Sequence, residues 1–113
     1  MLEEYQDEYF MDTYPNEYML YSLIVKPHQR KKLGAITHKD FSCRIQTVNK
    51  ELHPEVTTLL QKYNEKTECP VLLNTSFNDN GQPIVETPKD AIKTFKNIDL
   101  DYLVIGNYFV VKK

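Results

Sequence analysis

Glycine is scarce, with 3 in 113 residues, and no nucleophile elbow, P-loop, zinc pattern or paired-carboxylate signature is present. A phosphate cradle built from a glycine-rich loop is therefore not expected, and any chemistry must come from positioning and electrostatic stabilisation by side chains. Cysteine is almost as sparse. Cys43 and Cys69 have no metal-ligand spacing and read as reduced structural thiols. No apolar run approaches the roughly 20 residues that a membrane span needs, and the acidic start Leu2-Glu3-Glu4 is unlike a secretory signal. A cytoplasmic protein that does not engage the membrane is expected. Asn74-Thr75-Ser76 formally matches a glycosylation acceptor, but no secretion signal accompanies it. Neither sign of charge dominates. The formal charge of −2 and a pI near 5.9 argue against nucleic acid as a partner. Lys26 to Lys32 is a local basic cluster that reads as a solvated helix face.

With 41% hydrophobic residues, the chain holds enough apolar material for one modest core and is expected to fold as a single domain, residues 1–113. Leu2, Tyr5, Tyr9 and Phe10 recur at helical spacing and predict a short amphipathic helix over 2–10. Tyr18 to Val25 reads as a strand ended by Pro27, and His28 to Leu33 as about two helical turns stopped at Gly34. The loop Ala35-Ile36-Thr37-His38-Lys39-Asp40 then feeds a second strand from Ser42 to Val48. There Ser42, Arg44 and Gln46 share one face while Cys43, Ile45 and Thr47 share the other. Pro54 to Lys66 is the longest helix, with Val56, Leu59, Leu60 and Tyr63 as its apolar stripe. A further helix is signposted by Thr87 as N-cap, Pro88 at the first position and Asp90 three residues after the cap. The chain closes on a hairpin, Tyr102 to Ile105 and Tyr108 to Val111, around Gly106-Asn107. Interleaved strands and helices predict an α/β or α+β sheet with helices packed on it.

The stretch Pro70 to Val85 organises the rest. Val71 to Leu73 reads as a buried strand, and if the backbone stays extended, Asn74, Ser76 and Asn78 face one way and Thr75 and Phe77 the other. Two amides and a hydroxyl in a row suit an uncharged hydrogen-bonding site. The same residues next to a turn at Asn80-Gly81 also suit plain turn chemistry. Combined with the Thr37-His38-Lys39-Asp40 loop and the Ser42/Arg44/Gln46 face, they suggest an oxyanion site in which the planar fork of Arg44 meets phosphate or carboxylate oxygens. Against this, a lone arginine on a strand also reads as an exposed cross-strand partner.

At these residues a family becomes recognisable. Pro70 to Asn78 with Gly81-Gln82-Pro83-Ile84-Val85 and Thr87-Pro88-Lys89-Asp90-Ala91 resembles the C-terminal region of the O-carbamoyltransferases of antibiotic and nodulation-factor biosynthesis. Ala35-Ile36-Thr37-His38, Asp40 and Arg44 to Val48 look like that family's other signature. The resemblance implies a YrdC-like domain, a twisted mixed sheet with helices packed on it, that turns carbamoyl phosphate and ATP, with Mg2+, into carbamoyl adenylate. A separate actin-like ATPase-fold domain, N-terminal to it, then moves the carbamoyl group to a substrate hydroxyl. Ser76, Asn78 and Arg44 would carry the chemistry; Thr37, His38, Arg44, Gln46, Asn74, Ser76 and Asn78 would line the ligand; no metal would be held by this segment.

The chain also departs from the family. Phe41 and Ser42 stand where glycine and threonine are usual, and Gln82 where glutamate is common. The family's lysine-and-arginine motif would precede Met1, so the chain reads as the distal part of an incomplete domain that acts with an upstream half or a partner domain. The alternative is a non-catalytic assembly module that docks a partner through Tyr5, Tyr9 and Phe10.

Overall fold

Apolar residues at i, i+3 and i+4 draw the start of the chain onto the core, and it winds there as a 3-10 turn, Glu3–Tyr5, followed by the single-turn helix α1, Gln6–Tyr9. The computed structural model describes residues 1–112. It contains two compact units, Met1–Leu73 and Asn74–Lys113. The expected mixture of helix and strand is present. Its strands form two antiparallel pairs rather than one continuous mixed sheet.

In the first unit, β1 (Ser22–Ile24) pairs with β2 (Ser42–Arg44), Ser22 opposite Arg44 and Ile24 opposite Ser42. Both strands are shorter than the sequence predicts, for identifiable reasons. Asn16, 1% exposed, gathers residues 16–21 into a knuckle: its Oδ1 accepts from Leu20 N (2.8 Å) and Tyr21 N (3.2 Å), and its Nδ2 donates to Tyr21 O (2.8 Å). These side-chain bonds replace ladder bonds, so the strand predicted over 18–25 starts only at Ser22. The strand predicted over 42–48 leaves β1 after Arg44 because its backbone finds other partners. Thr47 N donates to Asn16 O (3.2 Å) and Val48 N to Met1 O (2.9 Å). The His28–Leu33 segment forms a 3-10 turn at Pro27–Gln29 and further turns.

The alternation predicted for 42–47 holds. Cys43, Ile45 and Thr47 are buried, and Ser42, Arg44 and Gln46 lie on the more open side. Cys43 and Ile45 join Met1, Tyr9, Phe10, Leu23, Val25 and Leu33 in the main cluster. Leu2, Val48 and Leu60 form a second cluster, and Tyr5 packs against both. Tyr9 and Phe10 are 1% and 0% exposed. The docking patch expected from Tyr5, Tyr9 and Phe10 is thereby overturned, because these rings are occupied in holding the unit together.

Helix α2 runs Pro54–Thr67 with proline in its first turn, and its C-cap Glu68 takes a left-handed backbone, φ 55°. Only Thr57 and Leu60 are buried on it, whereas Val56, Leu59 and Tyr63 of the expected apolar stripe are exposed. Beyond it the predicted buried strand 71–73 is not formed. Pro70 is buried and its carbonyl accepts Leu2 N at 3.1 Å, while Leu73 is 72% exposed.

In the second unit, α3 (Pro88–Asn97) begins as the sequence predicts. Thr87 Oγ1 accepts from Asp90 N at 3.1 Å and donates to Asp90 Oδ2 at 2.5 Å. Ala91, Thr94 and Phe95 form its buried face. The hairpin strands β3 (Tyr102–Ile105) and β4 (Tyr108–Val111) match their predicted bounds, and Gly106 at φ 54° supplies the left-handed residue the turn needs. Lys112 lays its ammonium 5.1 Å from the Phe95 ring and donates to Ile98 O, which ties the end of the hairpin to α3. Among the described residues, no helix is long and apolar enough to cross a membrane.

Two substitutions test this packing. Phe10→Ala empties a fully buried site and is expected to cost about 3–5 kcal/mol in urea unfolding. Among the described residues Thr57 Oγ1 is buried without a hydrogen-bond partner, so Thr57→Val, which keeps the shape and removes the unsatisfied hydroxyl, is expected to gain about 1 kcal/mol in the same assay.

Candidate functional site

The loop between His38 and Ser42 is built by its own backbone. His38 N donates to Ser42 O at 2.8 Å and Phe41 N to His38 O at 3.0 Å, which leaves Lys39, Asp40 and Phe41 as a three-residue loop. Such loops end on a left-handed residue, normally glycine. Here that residue is Phe41, at φ 66°. A left-handed backbone costs a side chain with a Cβ about 1–2 kcal/mol. The guanidinium of Arg30, 3.6 Å from the centre of the Phe41 ring, returns about 0.5–2 kcal/mol. The two are comparable, so phenylalanine is tolerated where glycine would be relaxed.

Asp40 completes the loop. Its Oδ1 accepts from Ser42 Oγ at 2.7 Å and from Ser42 N at 3.0 Å. The Ser42 hydroxyl, then its backbone N–H, hold the carboxyl below the usual aspartate range. Because the folded pKa is depressed, the stabilisation is present above the ordinary aspartate pKa and is lost as pH falls through the folded one.

The site residues predicted in the first unit differ in what they leave available. Thr37 is half-buried and its Oγ1 donates to Leu33 O at 2.8 Å, which keeps only its oxygen for accepting. The His38 side chain is exposed, and no hydrogen bond engages it among the described residues. Arg44 is exposed on β2 with no ion pair among the described residues. Gln46 is half-buried, and its Nε2 donates to Glu17 O at 3.0 Å, so its amide is anchored in the Asn16 knuckle. The structure therefore places the Ser42 and Arg44 side chains on one strand face, next to the 38–41 loop.

Asn74, Ser76 and Asn78 belong to the second unit. Asn74 and Ser76 are exposed. Asn78 Nδ2 donates to Gln82 O at 2.9 Å and Asp79 O at 3.2 Å. Gln82 N donates to Asp79 O at 3.0 Å, and Val85 N to Phe77 O at 3.1 Å. The Asn78 amide therefore braces the 77–85 loop, as the turn reading of this stretch predicts, and its Oδ1 remains to accept. Gly81 at φ 78° provides the left-handed step.

A depression of about 300 Å³ in the first unit is lined in part by Glu3, Glu4 and Asp7. Three carboxylates make it a poor host for an anion. Among the described residues no group of three His, Cys, Asp or Glu side chains is placed to hold a metal ion. The feature that the sequence reading missed is Arg30. It sits in the basic cluster read as a solvated face, but its guanidinium is held in place. The one available signal was Phe41 at a position where the resembling family has glycine.

Residues 1–112 match a family model described as the C-terminus of carbamoyltransferase. The chain is 40% identical over 115 residues to nodulation protein NolO of Bradyrhizobium diazoefficiens, covering 99% of this chain and 21% of that protein. It is 37% identical over 118 residues to nodulation protein NolNO of Sinorhizobium fredii, covering 100% of this chain and 17% of the relative. With 3'-hydroxymethylcephem-O-carbamoyltransferase of Amycolatopsis lactamdurans it shares 31% identity over 98 residues, 87% of this chain and 18% of the enzyme. The chain thus spans about a fifth of the length of these relatives.

The Asp40–Ser42 pair gives a direct check on the loop. Ser42→Ala removes the hydroxyl donor, so the Asp40 pKa is expected to rise toward the ordinary aspartate value in a carboxyl-detected NMR titration. An unchanged pKa would show that the Ser42 hydroxyl does not hold the carboxylate.

Proposed function

The chain belongs to the carbamoyltransferase C-terminal family, and from that premise we propose that it forms part of a carbamoyltransferase: it binds carbamoyl phosphate and ATP and helps to form carbamoyl adenylate for transfer to a substrate hydroxyl. Overall, carbamoyl phosphate, ATP and one water give carbamoyl adenylate, phosphate and pyrophosphate. The observation that carries this reading is the open face of β2. The exposed guanidinium of Arg44, without an ion pair among the described residues, stands there on the same face as the Asp40-linked Ser42, two residues along the strand.

The chemistry follows from the two ends of the ligand. The phosphate end carries negative charge and two or more oxygens in one plane, which the Arg44 fork meets with parallel N–H···O bonds. Lys39 and His38 in the adjoining loop are exposed and add single-point donors. The carbamoyl end is neutral and offers an N–H2 and a C=O. Ser76 Oγ and the Asn74 and Asn78 side chains are uncharged groups of matching polarity. In this reading Arg44 of the first unit takes phosphate oxygens, and, within the second unit, Ser76 and Asn78 supply uncharged hydrogen-bonding groups suited to a carbamoyl group. Among the described residues, no three His, Cys, Asp or Glu side chains are grouped to hold a metal ion by themselves. Magnesium, by this reading, would be carried by the ATP phosphates and would neutralise part of their charge.

The chain spans about a fifth of its relatives' length, so the complete reaction is proposed to need further polypeptide: an upstream half of the domain and an actin-like transferase domain. A cytoplasmic setting is supported by the two free thiols, Cys43 and Cys69.

A second reading, an assembly module without catalysis, is favoured by one observation. Tyr102 and Val104 of β3 and Phe109 and Val111 of β4 lie on one hairpin face, paired across the strands, and all four are more than half exposed. An antiparallel sheet with one solvated face normally alternates apolar with polar residues.

Titration of the chain with carbamoyl phosphate and ATP separates the readings. Binding is expected to be weak and turnover slow, because one exposed guanidinium and nearby lysines supply few cationic partners for so much phosphate charge. Arg44→Ala, Ser76→Ala and Asn78→Ala should each weaken binding by about three- to tenfold with the fold intact. NMR shift changes that avoid all three residues would overturn these residue assignments. Self-association rising with concentration, without ligand binding, would favour the assembly module.

A further inference from the structure

Three contacts close a ring beside the 38–41 loop. Phe41 O accepts from Val25 N at 2.9 Å, Val25 O accepts from Arg30 Nε at 3.2 Å, and the Arg30 guanidinium returns to the Phe41 ring at 3.6 Å. The guanidinium plane is thus fixed through its Nε–H and covered on one side by an aromatic face. Its two terminal nitrogens have no hydrogen-bond partner among the described residues. No carboxylate pairs with it either, because the ion pairs of the described residues are Lys26–Asp7 and Lys62–Glu65. On a half-buried residue, a guanidinium with a fixed plane and two unengaged terminal nitrogens has lost much of the freedom it would otherwise lose on binding.

Phe41 supplies a second, independent observation. Its backbone sits at φ 66°, a region that favours glycine. Strain of this kind persists where the surroundings over-determine it, and it clusters at ligand-binding loops. The ring is 46% exposed, so its burial does not explain the strain. What the ring does contact is Arg30.

We propose that Arg30 is an oxyanion-binding residue, its two terminal nitrogens taking two oxygens of a phosphoryl group beside the 38–41 loop, and that Phe41 is the positioning residue that holds its plane. The nearest carboxylate in the loop, Asp40, is engaged by Ser42. Lys31 and Lys39 are exposed close by in the chain and raise the local positive potential. The site makes Arg30 a second guanidinium for phosphate besides Arg44. As an account of carbamoyl phosphate or ATP recognition, it rests on the function proposed above; as a phosphate site, it stands without it.

The test is titration of the chain with inorganic phosphate, followed by competition with carbamoyl phosphate and with ATP. Arg30→Ala is expected to weaken phosphate binding about tenfold, and Arg30→Lys to recover little of it, because a single ammonium cannot take two oxygens in parallel. Phe41→Leu should weaken it about threefold, and thermal melts should confirm that each variant is folded. Lys31→Ala removes the same charge from the next residue and should change binding less than about twofold. Equal losses in Arg30→Ala and Lys31→Ala, or full binding by Arg30→Lys, would overturn the proposal. Competition by carbamoyl phosphate identifies that ligand as the source of the phosphoryl group, and competition by ATP alone identifies the nucleotide. If neither competes while Arg30→Ala still loses phosphate, the Arg30 site stands and the carbamoyl reading falls. If Arg44→Ala and Ser76→Ala weaken carbamoyl phosphate while Arg30→Ala does not weaken inorganic phosphate, the reverse holds.

Discussion

The first three residues are the tie on which the first unit depends. Val48 N donates to Met1 O, Glu3 N to Val48 O, and Leu2 N to Pro70 O. An extended segment thus serves as hydrogen-bonding partner to two stretches of chain that do not pair with each other. Buried backbone groups must find partners, and these bonds meet that demand for residues 48 and 70 without a longer sheet. Leu2, 1% exposed, enters the second core cluster beside Val48 and Leu60 while Met1 enters the first. Because this tie claims the backbone at Val48, and Asn16 claims it at Thr47, β2 pairs with β1 only as far as Arg44. The guanidinium of Arg44 is consequently at the end of a ladder, where no neighbouring strand covers it.

The helices and the hairpin were legible in the sequence because their signals are local. Pro54 in the first turn, the reciprocal Thr87–Asp90 bonds, and glycine at the left-handed turn position all act within a few residues of the element they define. The alternation of Cys43, Ile45 and Thr47 with Ser42, Arg44 and Gln46 survived for a similar reason: it needs only an extended backbone beside a core, not a full ladder. The strand ends were not legible. Aromatic and branched residues over 18–25 favour a strand, but Asn16 captures the backbone of Leu20 and Tyr21 with its side chain, and composition carries no sign of that competition. The buried strand at 71–73 failed because burial there stops at Val71. The apolar stripe of α2 was read correctly as a pattern, but only Leu60 of it meets the second core cluster.

The candidate site shows the same division. Residue type placed Arg44 and Ser42 on one face, and the turn reading accounts for the amide of Asn78. Gln46 is different, because its donor is committed to Glu17 O across a long sequence separation, which the spacing of side chains on a strand does not reveal. Arg30 escaped attention for the opposite reason. In the sequence it is one cation among several, and what sets it apart is tertiary: its Nε–H bond to Val25 O and its contact with the Phe41 ring. Lys32 is spent on Tyr9 OH and Glu68 O.

Charge distribution explains why a braced arginine matters more here than another lysine. In an open site, a flexible ammonium is screened over roughly 8–10 Å and loses side-chain freedom on binding, so an exposed pair is worth only about 0–1 kcal/mol. A guanidinium whose plane is already fixed loses less and can meet two oxygens at once. The scarcity of glycine points the same way: a loop that cannot wrap a phosphate in backbone N–H groups must recognise it with side chains, and their precision then rests on whatever holds those side chains still. At Phe41 the chain accepts a strained backbone and places an aromatic face against the Arg30 guanidinium. Glycine at that position would relax the loop and leave the Arg30 guanidinium tethered only through Nε.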